Sequence, residues 1–495
     1  MTTTPLRGSR SDLTPRLRDG TSVGDLVQFD RSSVSLRTCH DPEIYELELE
    51  RIFARAWIVV AHQSEITRPG DFVCRYLGED PVIVTRTEAG EITVLLNSCA
   101  HRGMAVCSAN QGNTRRFLCP YHGWAYGLDG SLRGVPDERE RYDSSFSRAE
   151  HGLRRARAGV SQGWVYATFA DDAPSLDDYL GTTGWFLDLL FDRTDAGLEV
   201  VGPPQRWVLK GNWKLGAEQF AGDAYHVRTA HASLMDIGML PAASSFNMNG
   251  VNLVCADGNG FVDLLDRAEH GLREAVEAVR GKDNFELDLP LGVPPTLADE
   301  VPRHLTEEQR TLRRMYPPGP LDIGVFPNFF TVAQVGPTGD GRRGPHMAPR
   351  VFNPVGPDQM EIISWVLVEK DAPDEYKELM RVGTERGFGA GGLIEVDDAA
   401  MWEGIQHATA GWAGRQQILS YEAGNRPIVT PDRSWLPAPV DPDRDVVRRG
   451  YSKDAALDFF WRRWLEFIDG DPWTARKSES GGALDKPRQA SGGGR

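Results

Sequence analysis

Two cysteine–histidine pairs constrain the fold of this chain more than any other feature of its sequence. One residue separates Cys99 from His101, and two residues separate Cys119 from His122. A glycine closely follows each histidine, so that the backbone can turn tightly and its amides can hydrogen-bond to a sulfur atom. If all four side chains serve one centre, the fold must bring the two loops together.

The four side chains suit a cluster of two irons and two sulfides. Two thiolates can hold one iron while two neutral imidazoles hold the other, and this ligand set raises the reduction potential above that of an all-cysteine cluster. A tetrahedral zinc site is the alternative, because zinc also accepts two Cys and two His. Zinc motifs usually pair Cys with Cys and His with His, whereas each loop here supplies one of each type. The pattern therefore favours the iron–sulfur cluster and single-electron transfer.

A second group of potential metal ligands contains Asp223, His226 and His231. Two histidines and one carboxylate form the facial triad of non-haem iron(II), which leaves coordination positions open for oxygen. The two histidines are five residues apart, which corresponds to about 140° around a regular α-helix. We therefore expect the helix to bend or end between them.

The residues themselves leave the carboxylate ligand open. Asp223 would share a helix face with His226. Asp397 and Asp398 stand at the predicted start of another helix, where acids are also favoured by the helix dipole. The sequence does not choose among these three acids.

Composition excludes several classes of function. The chain has 495 residues, 40% of them hydrophobic, which predicts a large core divided among two or three domains. Its net charge of -16 repels phosphate backbones, so we expect no nucleic-acid partner. No stretch approaches the roughly 18 apolar residues of a membrane span, and the first residues lack the apolar region of a signal peptide. We expect no membrane association and a cytoplasmic location.

Changes in composition and periodicity divide the chain into four segments. We predict an N-terminal arm and helix start over residues 1–49, a small antiparallel β domain over 50–175, a larger domain with the second ligand group over 176–474, and a disordered tail over 475–495. Residues 1–30 should be held loosely. Further predicted elements are a helix capped by Asp41, strands at 81–85 and 164–169, a helical stretch over 213–231, strands over 325–332 and 361–369, and helices from Asp374 and over 454–468.

These motifs together resemble the large (α) subunits of Rieske non-haem iron ring-hydroxylating dioxygenases, especially the naphthalene, biphenyl and toluene dioxygenase group. The similarity extends from about Asp41 to beyond Trp402. It implies an α+β fold, in which a Rieske antiparallel β domain precedes a helix-grip (START-like) catalytic domain with a central antiparallel sheet. The implied cluster ligands are Cys99, His101, Cys119 and His122, and the implied iron ligands are His226, His231 and Asp398.

The resemblance also implies roles for residues near the iron. Asp398 is preferred over Asp397 because the family's ligand is the second acid of its Asp-Asp pair. Asp223 takes the family's bridging role, in which it connects His226 with the partner subunit's His122. The same placement predicts the substrate-pocket residues Gln219, Phe220, Val227, Asp322 and Phe388.

The implied protein is the catalytic subunit of a multicomponent dioxygenase that adds both atoms of O2 to an aromatic ring and gives a cis-dihydrodiol. Its cofactors are a [2Fe-2S] Rieske cluster and a mononuclear Fe(II), with electrons supplied from NADH through a ferredoxin and a reductase. A small β subunit completes an expected α3β3 assembly. A Rieske monooxygenase or an O- or N-demethylase with the same metal centres is the alternative. Whether the substrate is a hydrocarbon or an aryl carboxylate stays open, because Arg206, Arg228 and Arg386 could bind a carboxylate but are expected to be solvated.

Overall fold

The fold is described from a computed structural model of the chain. The described residues are 14–29, 31–238, 250–255, 259–265, 293–307, 309–310, 321–337, 343–421, 446–450, 454–470 and 472–473. The tail predicted to be disordered lies outside them.

The N-terminal segment is packed against the protein from residue 14 onward. Leu17 and Val23 are buried, and strand β1 (Val27–Gln28) pairs with β2 (Ser33–Ser35), which pairs with a strand at Ile418–Ser420. The prediction of a loosely held arm is therefore wrong for its described part. A few apolar side chains in a polar segment are enough to anchor it when they reach a core.

The first helix forms as its capping residues predict. The Asp41 side chain accepts a hydrogen bond from the amide of Glu43, and helix α1 spans Pro42–Glu48. One π-helical turn, Leu49–Phe53, continues it.

A β domain with antiparallel strand pairing follows, as predicted. Seven of its strands form one sheet, in the order β3-β12-β11-β6-β5-β4-β7, and three short strands form another, in the order β10-β9-β8. Their bounds are β3 (Ile58–His62), β4 (Asp71–Leu77), β5 (Asp80–Arg86), β6 (Ile92–Leu96), β7 (Gln111–Asn113), β8 (Phe117–Leu118), β9 (Ala125–Tyr126), β10 (Leu132–Gly134), β11 (Arg155–Ser161) and β12 (Trp164–Thr168). A short helix, α2, spans Glu138–Arg141.

The second domain is an antiparallel sheet with helices packed against it, which confirms the predicted fold class. Its strands are β13 (Leu198–Val200), β14 (Gln205–Leu209), β15 (Gly250–Cys255), β16 (Gly260–Leu265), β17 (Leu321–Val325), β18 (Phe329–Pro337), β19 (Arg343–Gly356), β20 (Gln359–Ser364), β21 (Leu367–Glu369), β22 (Ile418–Ser420) and β23 (Val446–Gly450). Eight of them form the central sheet, in the order β14-β20-β19-β18-β17-β16-β15-β23. β13 pairs with β21 beside it.

The helices of this domain include those predicted at residues 374 and 454–468. They are α3 (Leu176–Leu180), α4 (Thr182–Phe191), α5 (Trp213–Gly222), α6 (Val227–Ala230), α7 (Ala232–Asp236), α8 (Val301–His304), α9 (Asp374–Phe388), α10 (Glu395–Thr409) and α11 (Ala455–Ile468). Helices α5, α9 and α11 contact strands of the central sheet. No helix in the described ranges is long and apolar enough to cross a membrane.

Two predicted strands are each divided in the structure. The stretch 325–332 contains a turn at residues 326–328, because Pro327 has no amide hydrogen to donate to a β ladder. The stretch 361–369 breaks at residues 365–366, and its second half pairs with β13 instead of continuing in the large sheet.

One buried carboxylate joins three helices. The Lys214 ammonium group donates to Glu48 Oε1 over 2.6 Å, and the two side chains are only 1% and 0% exposed. The indole N–H groups of Trp213 and Trp464 also donate to Glu48, over 2.9 and 2.7 Å. Because Glu48 ends α1, Trp213 and Lys214 are the first two residues of α5 and Trp464 lies in α11, this cluster fixes the start of α5.

Removing the cation should destabilise the fold strongly. In Lys214→Met the Glu48 carboxylate loses its counter-charge while it stays buried, at a cost of about 3–5 kcal/mol. The double variant Glu48→Gln/Lys214→Met should recover part of this loss. Thermal unfolding followed by near-UV circular dichroism measures both, with exposed Lys210→Met as the matched control. An unchanged unfolding temperature in Lys214→Met would contradict the role of the pair.

Candidate functional site: two metal centres

The two Cys–His loops have the same backbone geometry. In each loop the cysteine amide donates to the carbonyl five residues later, over 2.9 Å at Cys99 and 2.8 Å at Cys119. The glycine four residues after each cysteine, Gly103 or Gly123, donates back to the cysteine carbonyl. Both glycines have φ of +74°, a conformation that side chains disfavour. The glycines noted in the sequence are therefore required by the turns.

The four predicted cluster ligands come together. The imidazole centroids of His101 and His122 are 4.5 Å apart. The thiol of Cys119 hydrogen-bonds to that of Cys99, and it also accepts from the amides of Tyr121 and His122. His101 Nδ1 is enclosed and has no hydrogen-bond partner among the described residues. Two adjacent thiols and two adjacent imidazoles, one of them with a buried nitrogen that needs a partner, fit a Rieske cluster.

Aromatic residues surround these ligands. The Tyr126 hydroxyl lies 3.2 Å from Cys99 Sγ, and the Trp124 ring stacks on His101 at 4.8 Å. Hydrogen bonds to cluster sulfurs and the polarity around a cluster set its reduction potential. Neither residue was predicted from the sequence to surround the cluster ligands, although both directly follow the second loop. His122, by contrast, is exposed.

No regular helix carries both histidines of the second ligand group, as expected, although the main helix ends before His226 instead of between the two. Helix α5 ends at Gly222, a 3-10 turn spans Ala224–His226, and α6 follows. The Nε2 atoms of His226 and His231 then lie 3.5 and 3.3 Å from Asp398 Oδ1. These three residues each offer one ligand atom, and the three atoms lie within 4.8 Å of one another.

The other two acids lie behind the imidazoles. Asp223 Oδ2 is 3.7 Å from Nδ1 of His226, and Asp397 Oδ2 is 3.2 Å from Nδ1 of His231. The geometry thus separates one inner carboxylate, Asp398, from two outer ones. Asp397 is within hydrogen-bond distance of His231 and can fix its tautomer, whereas Nδ1 of His226 donates to the backbone carbonyl of Asp223, so the Asp223 carboxylate is a longer contact.

Electrostatics favours a charged carboxylate between the histidines. Burial alone would raise the pKa of Asp398, but hydrogen bonds and attraction from His226 and His231 outweigh burial and lower that pKa well below its usual range. Burial opposes protonation of His226, yet contacts with Asp223 and Asp398 raise its pKa to about 10. A divalent cation can replace the protons that these groups otherwise share. The donor set of two imidazoles and one carboxylate fits non-haem iron(II).

Gln219 supports the inner carboxylate. Its Nε2 donates to Asp398 Oδ1 over 2.9 Å, and Trp402 Nε1 donates to its Oε1 over 2.8 Å. The chain of hydrogen bonds links α5 with α10. Gln219 was predicted as a pocket residue, and its amide is used here to hold Asp398. Trp402 lies one helical turn after Asp398, and this spacing is the sequence signal for its part in the series of hydrogen bonds.

Three of the other predicted pocket residues lie on one apolar face of the sheet. Phe220 and Phe388 pack with Val332 and Ala348 in a cluster between the sheet and its helices. Asp322 lies on the same face, because it is the register partner of Val332 in the adjacent strand. Val227 is partly exposed and follows His226 in the chain, but no described contact places it in this cluster.

This face also contains a buried cation, Arg350, which was not predicted from the sequence. Arg228 and Arg386 are exposed, as expected, and Arg206 forms a two-pronged ion pair with Glu361 at 2.9 Å. Arg350, in contrast, is 0% exposed, and its guanidinium carbon lies 5.1 and 5.0 Å from the ring centroids of Phe220 and Phe388. An arginine in the middle of a strand, here β19, gives no local sign of burial in the sequence.

Comparison with known proteins gives matches for both domains. The family profile of the Rieske [2Fe-2S] domain matches residues 56–150, and that of the ring hydroxylating alpha subunit (catalytic domain) matches residues 194–437. Chlorobenzene dioxygenase subunit alpha of Cupriavidus sp. (strain PS12) is 34% identical, over 88% of this chain and 91% of its own length. N,N-dimethyl phenylurea N-demethylase subunit alpha of Sphingobium sp. (strain YBL2) is 32% identical, over 93% and 98%.

A solved structure agrees with the fold. Naphthalene 1,2-dioxygenase from Rhodococcus sp., crystallised with indole, superposes with a TM-score of 0.77 and 35% identity, over 90% of this chain and 96% of that one. The family's α subunits work with a β subunit, a ferredoxin and a reductase. The chain therefore belongs to the family of Rieske ring-hydroxylating dioxygenase α subunits, whose members combine a [2Fe-2S] cluster with a mononuclear iron and use electrons from NADH.

Proposed function

We propose that this chain catalyses the addition of both atoms of O2 to an aromatic ring, giving a cis-dihydrodiol. One observation carries the proposal: the convergent atoms of His226, His231 and Asp398 are linked through Asp398 to Gln219 on α5, and the next residue of that helix, Phe220, packs against an aromatic and aliphatic cluster. Such a cluster suits a flat apolar ring and excludes water from the reacting atoms.

In this proposal the residues divide into two ligand sets. Cys99, His101, Cys119 and His122 hold the cluster, and His226, His231 and Asp398 hold the iron. When bound, the cluster supplies single electrons and the iron supplies open coordination positions for oxygen. Asp223 and Asp397 orient the imidazoles, Gln219 holds Asp398, and Phe220 and Phe388 position the ring.

Electron transfer between subunits is the proposed role of Asp223. Its side chain is 32% accessible while it contacts His226, and His122 is exposed. Tyr225, two residues after Asp223, is also exposed, at 70%. Exposed apolar residues around a functional acid favour a contact with another subunit, so we propose that Asp223 meets the partner subunit's His122 in an α3β3 assembly.

Demethylation is the second candidate function. The N-demethylase relative matches nearly its whole length, and the same two metal centres serve that reaction. Product analysis separates the two, because a dioxygenase gives a diol that keeps both oxygen atoms on the ring, whereas a demethylase releases a methyl carbon as formaldehyde. Recovery of formaldehyde without any diol would contradict the main proposal.

The adjacent acids should differ in their effect on metal content. The wild-type chain, purified without oxygen, should contain about three irons and two sulfides. Asp398→Ala should contain about two irons with sulfide unchanged, because it loses an iron ligand only. Asp397→Ala is the matched control and should keep more iron. Metal and acid-labile sulfide analysis measures this, and zinc without sulfide in the wild type would contradict the proposal.

The support from Gln219 should be visible in iron affinity. Gln219→Leu removes the hydrogen bond to Asp398, so we expect iron to bind about 10–100-fold more weakly. Iron retained after dialysis against graded chelator gives the affinity, and the visible spectrum of the cluster should not change. Equal retention in the variant and the wild type would exclude a supporting role.

If Asp223 carries electrons between the two metal centres, changing it should slow turnover without loss of either metal. Asp223→Ala should keep both metals but greatly slow product formation, because electrons no longer reach the iron efficiently. Single-turnover oxidation of the reduced cluster, followed by its visible absorption, measures the step directly. Asp236→Ala, an exposed acid at the end of α7, is the matched control. Full activity in Asp223→Ala would refute the coupling role.

A further inference from the structure

The apolar face beside the iron site contains a buried ion pair. Arg350 donates to Glu395 Oε2 over 2.5 Å, and both side chains are about fully buried, at 0% and 1% exposed. A second guanidinium nitrogen donates to the Phe388 carbonyl over 3.3 Å. Because the guanidinium group also lies against the Phe220 and Phe388 rings, Arg350 is held behind the pocket residues and places a fixed positive charge there.

A second carboxyl group lies on this face without a hydrogen-bond partner. Asp322 is opposite Val332, and Val332 is opposite Ala348, so Asp322 points to the side of the sheet that Phe388 covers. Its Oδ1 is enclosed and has no partner among the described residues, while the residue as a whole is only partly buried. An enclosed acceptor without a donor is costly unless a ligand supplies one.

Electrostatics places this carboxyl near both the cation and the iron site. Burial raises the pKa of Asp322 to about 7, and attraction from Arg350 and His226 acts in the opposite direction. Asp322 therefore lies within electrostatic reach of a proposed iron ligand.

The charges of the three groups restrict the substituent. One cation, Arg350, faces two carboxyl groups, Glu395 and Asp322, and its charge is already matched by Glu395. A carboxylate on the substrate would add another anion to this group and would be repelled. A hydrocarbon would leave the Asp322 oxygen without a donor, and sites with buried polar groups reject ligands that cannot pair them.

We propose that Asp322, with Arg350 behind it, selects aromatic substrates that carry a neutral hydrogen-bond donor, such as a carboxamide N–H, over hydrocarbons and aryl carboxylates. The inference rests on the proposed function, because it needs the ring to bind beside His226, His231 and Asp398. Asp322 accepts the hydrogen bond through its enclosed oxygen, and attraction from Arg350 counteracts the burial that favours the neutral acid.

Three probes of similar shape test the selection. Benzamide, isopropylbenzene and benzoate differ mainly in having a donor, no polar group or a negative charge. Their binding to the metal-loaded full-length protein is measured by isothermal titration calorimetry under argon, so that no turnover is needed, and at a pH well above the pKa of Asp322, so that its carboxylate is ionised. In the wild type, benzamide should bind more tightly than benzoate. In Asp322→Val, the benzamide-to-isopropylbenzene affinity ratio should fall about tenfold, as expected for a lost hydrogen bond to a charged group.

Two further variants control the result. Asp358→Val removes the same side chain from an exposed turn between β19 and β20 and should leave the ratio unchanged. Asp322→Asn keeps an acceptor oxygen and should retain part of the preference, which a merely structural effect would not produce. Removing a carboxyl group with an unpartnered oxygen should not unfold the chain.

The outcomes separate this inference from the function on which it rests. The inference is overturned if the benzamide-to-isopropylbenzene affinity ratio is the same in Asp322→Val and the wild type. It is also overturned if the wild type binds benzoate more tightly than benzamide. Iron and sulfide are measured on the same samples. Absence of both from the wild type would contradict the proposed function, whereas a fully loaded chain with an unchanged ratio would refute only the role of Asp322.

Discussion

The buried ion pair between Glu48 and Lys214 is the constraint on which the catalytic domain depends. Taking two charges out of water is costly, and the cost is offset only when every remaining donor and acceptor is paired. Here one carboxylate receives the ammonium group and two indole N–H groups. The start of α5 is thereby fixed against α1 and α11. The other end of α5 supplies Gln219 and Phe220, and the chain then turns to His226, so the position of the iron site follows from this anchor.

Both metal centres are built in the same way, from side chains held by backbone turns and by outer hydrogen bonds. The cluster loops are closed by repeated amide–carbonyl bonds and by glycines with positive φ. At the iron site, helix α5 ends early, the backbone carbonyl of Asp223 accepts from His226, and the Asp397 carboxylate lies behind His231. Rigid placement of this kind keeps ligand atoms close together although they repel or compete for protons.

The pocket face combines an apolar surface with a small polar group, and this combination gives a binding site its selectivity. Aromatic rings bury a substrate ring without regard to its substituents. Arg350, Glu395 and Asp322 add a fixed charge pattern in a region of low dielectric, where each unpaired atom matters more than it would in water. The family resemblance accounts for the metal chemistry, whereas these three residues account for the substrate substituents that we propose this particular chain distinguishes.

The sequence by itself determined the class of protein, because ligand residues at fixed spacing have few alternative uses. Cys99, His101, Cys119 and His122 indicated the cluster, and the five-residue separation of His226 and His231 required the helix break that is observed. Local signals also gave the starts of α1 and α9 and the extent of α11. Only the tertiary structure separated Asp398 from Asp397 by geometry, assigned the Gln219 amide to Asp398, packed the polar N-terminal segment and revealed Arg350 as buried. These features arise from contacts between residues far apart in the chain, and such contacts leave no local pattern in the sequence.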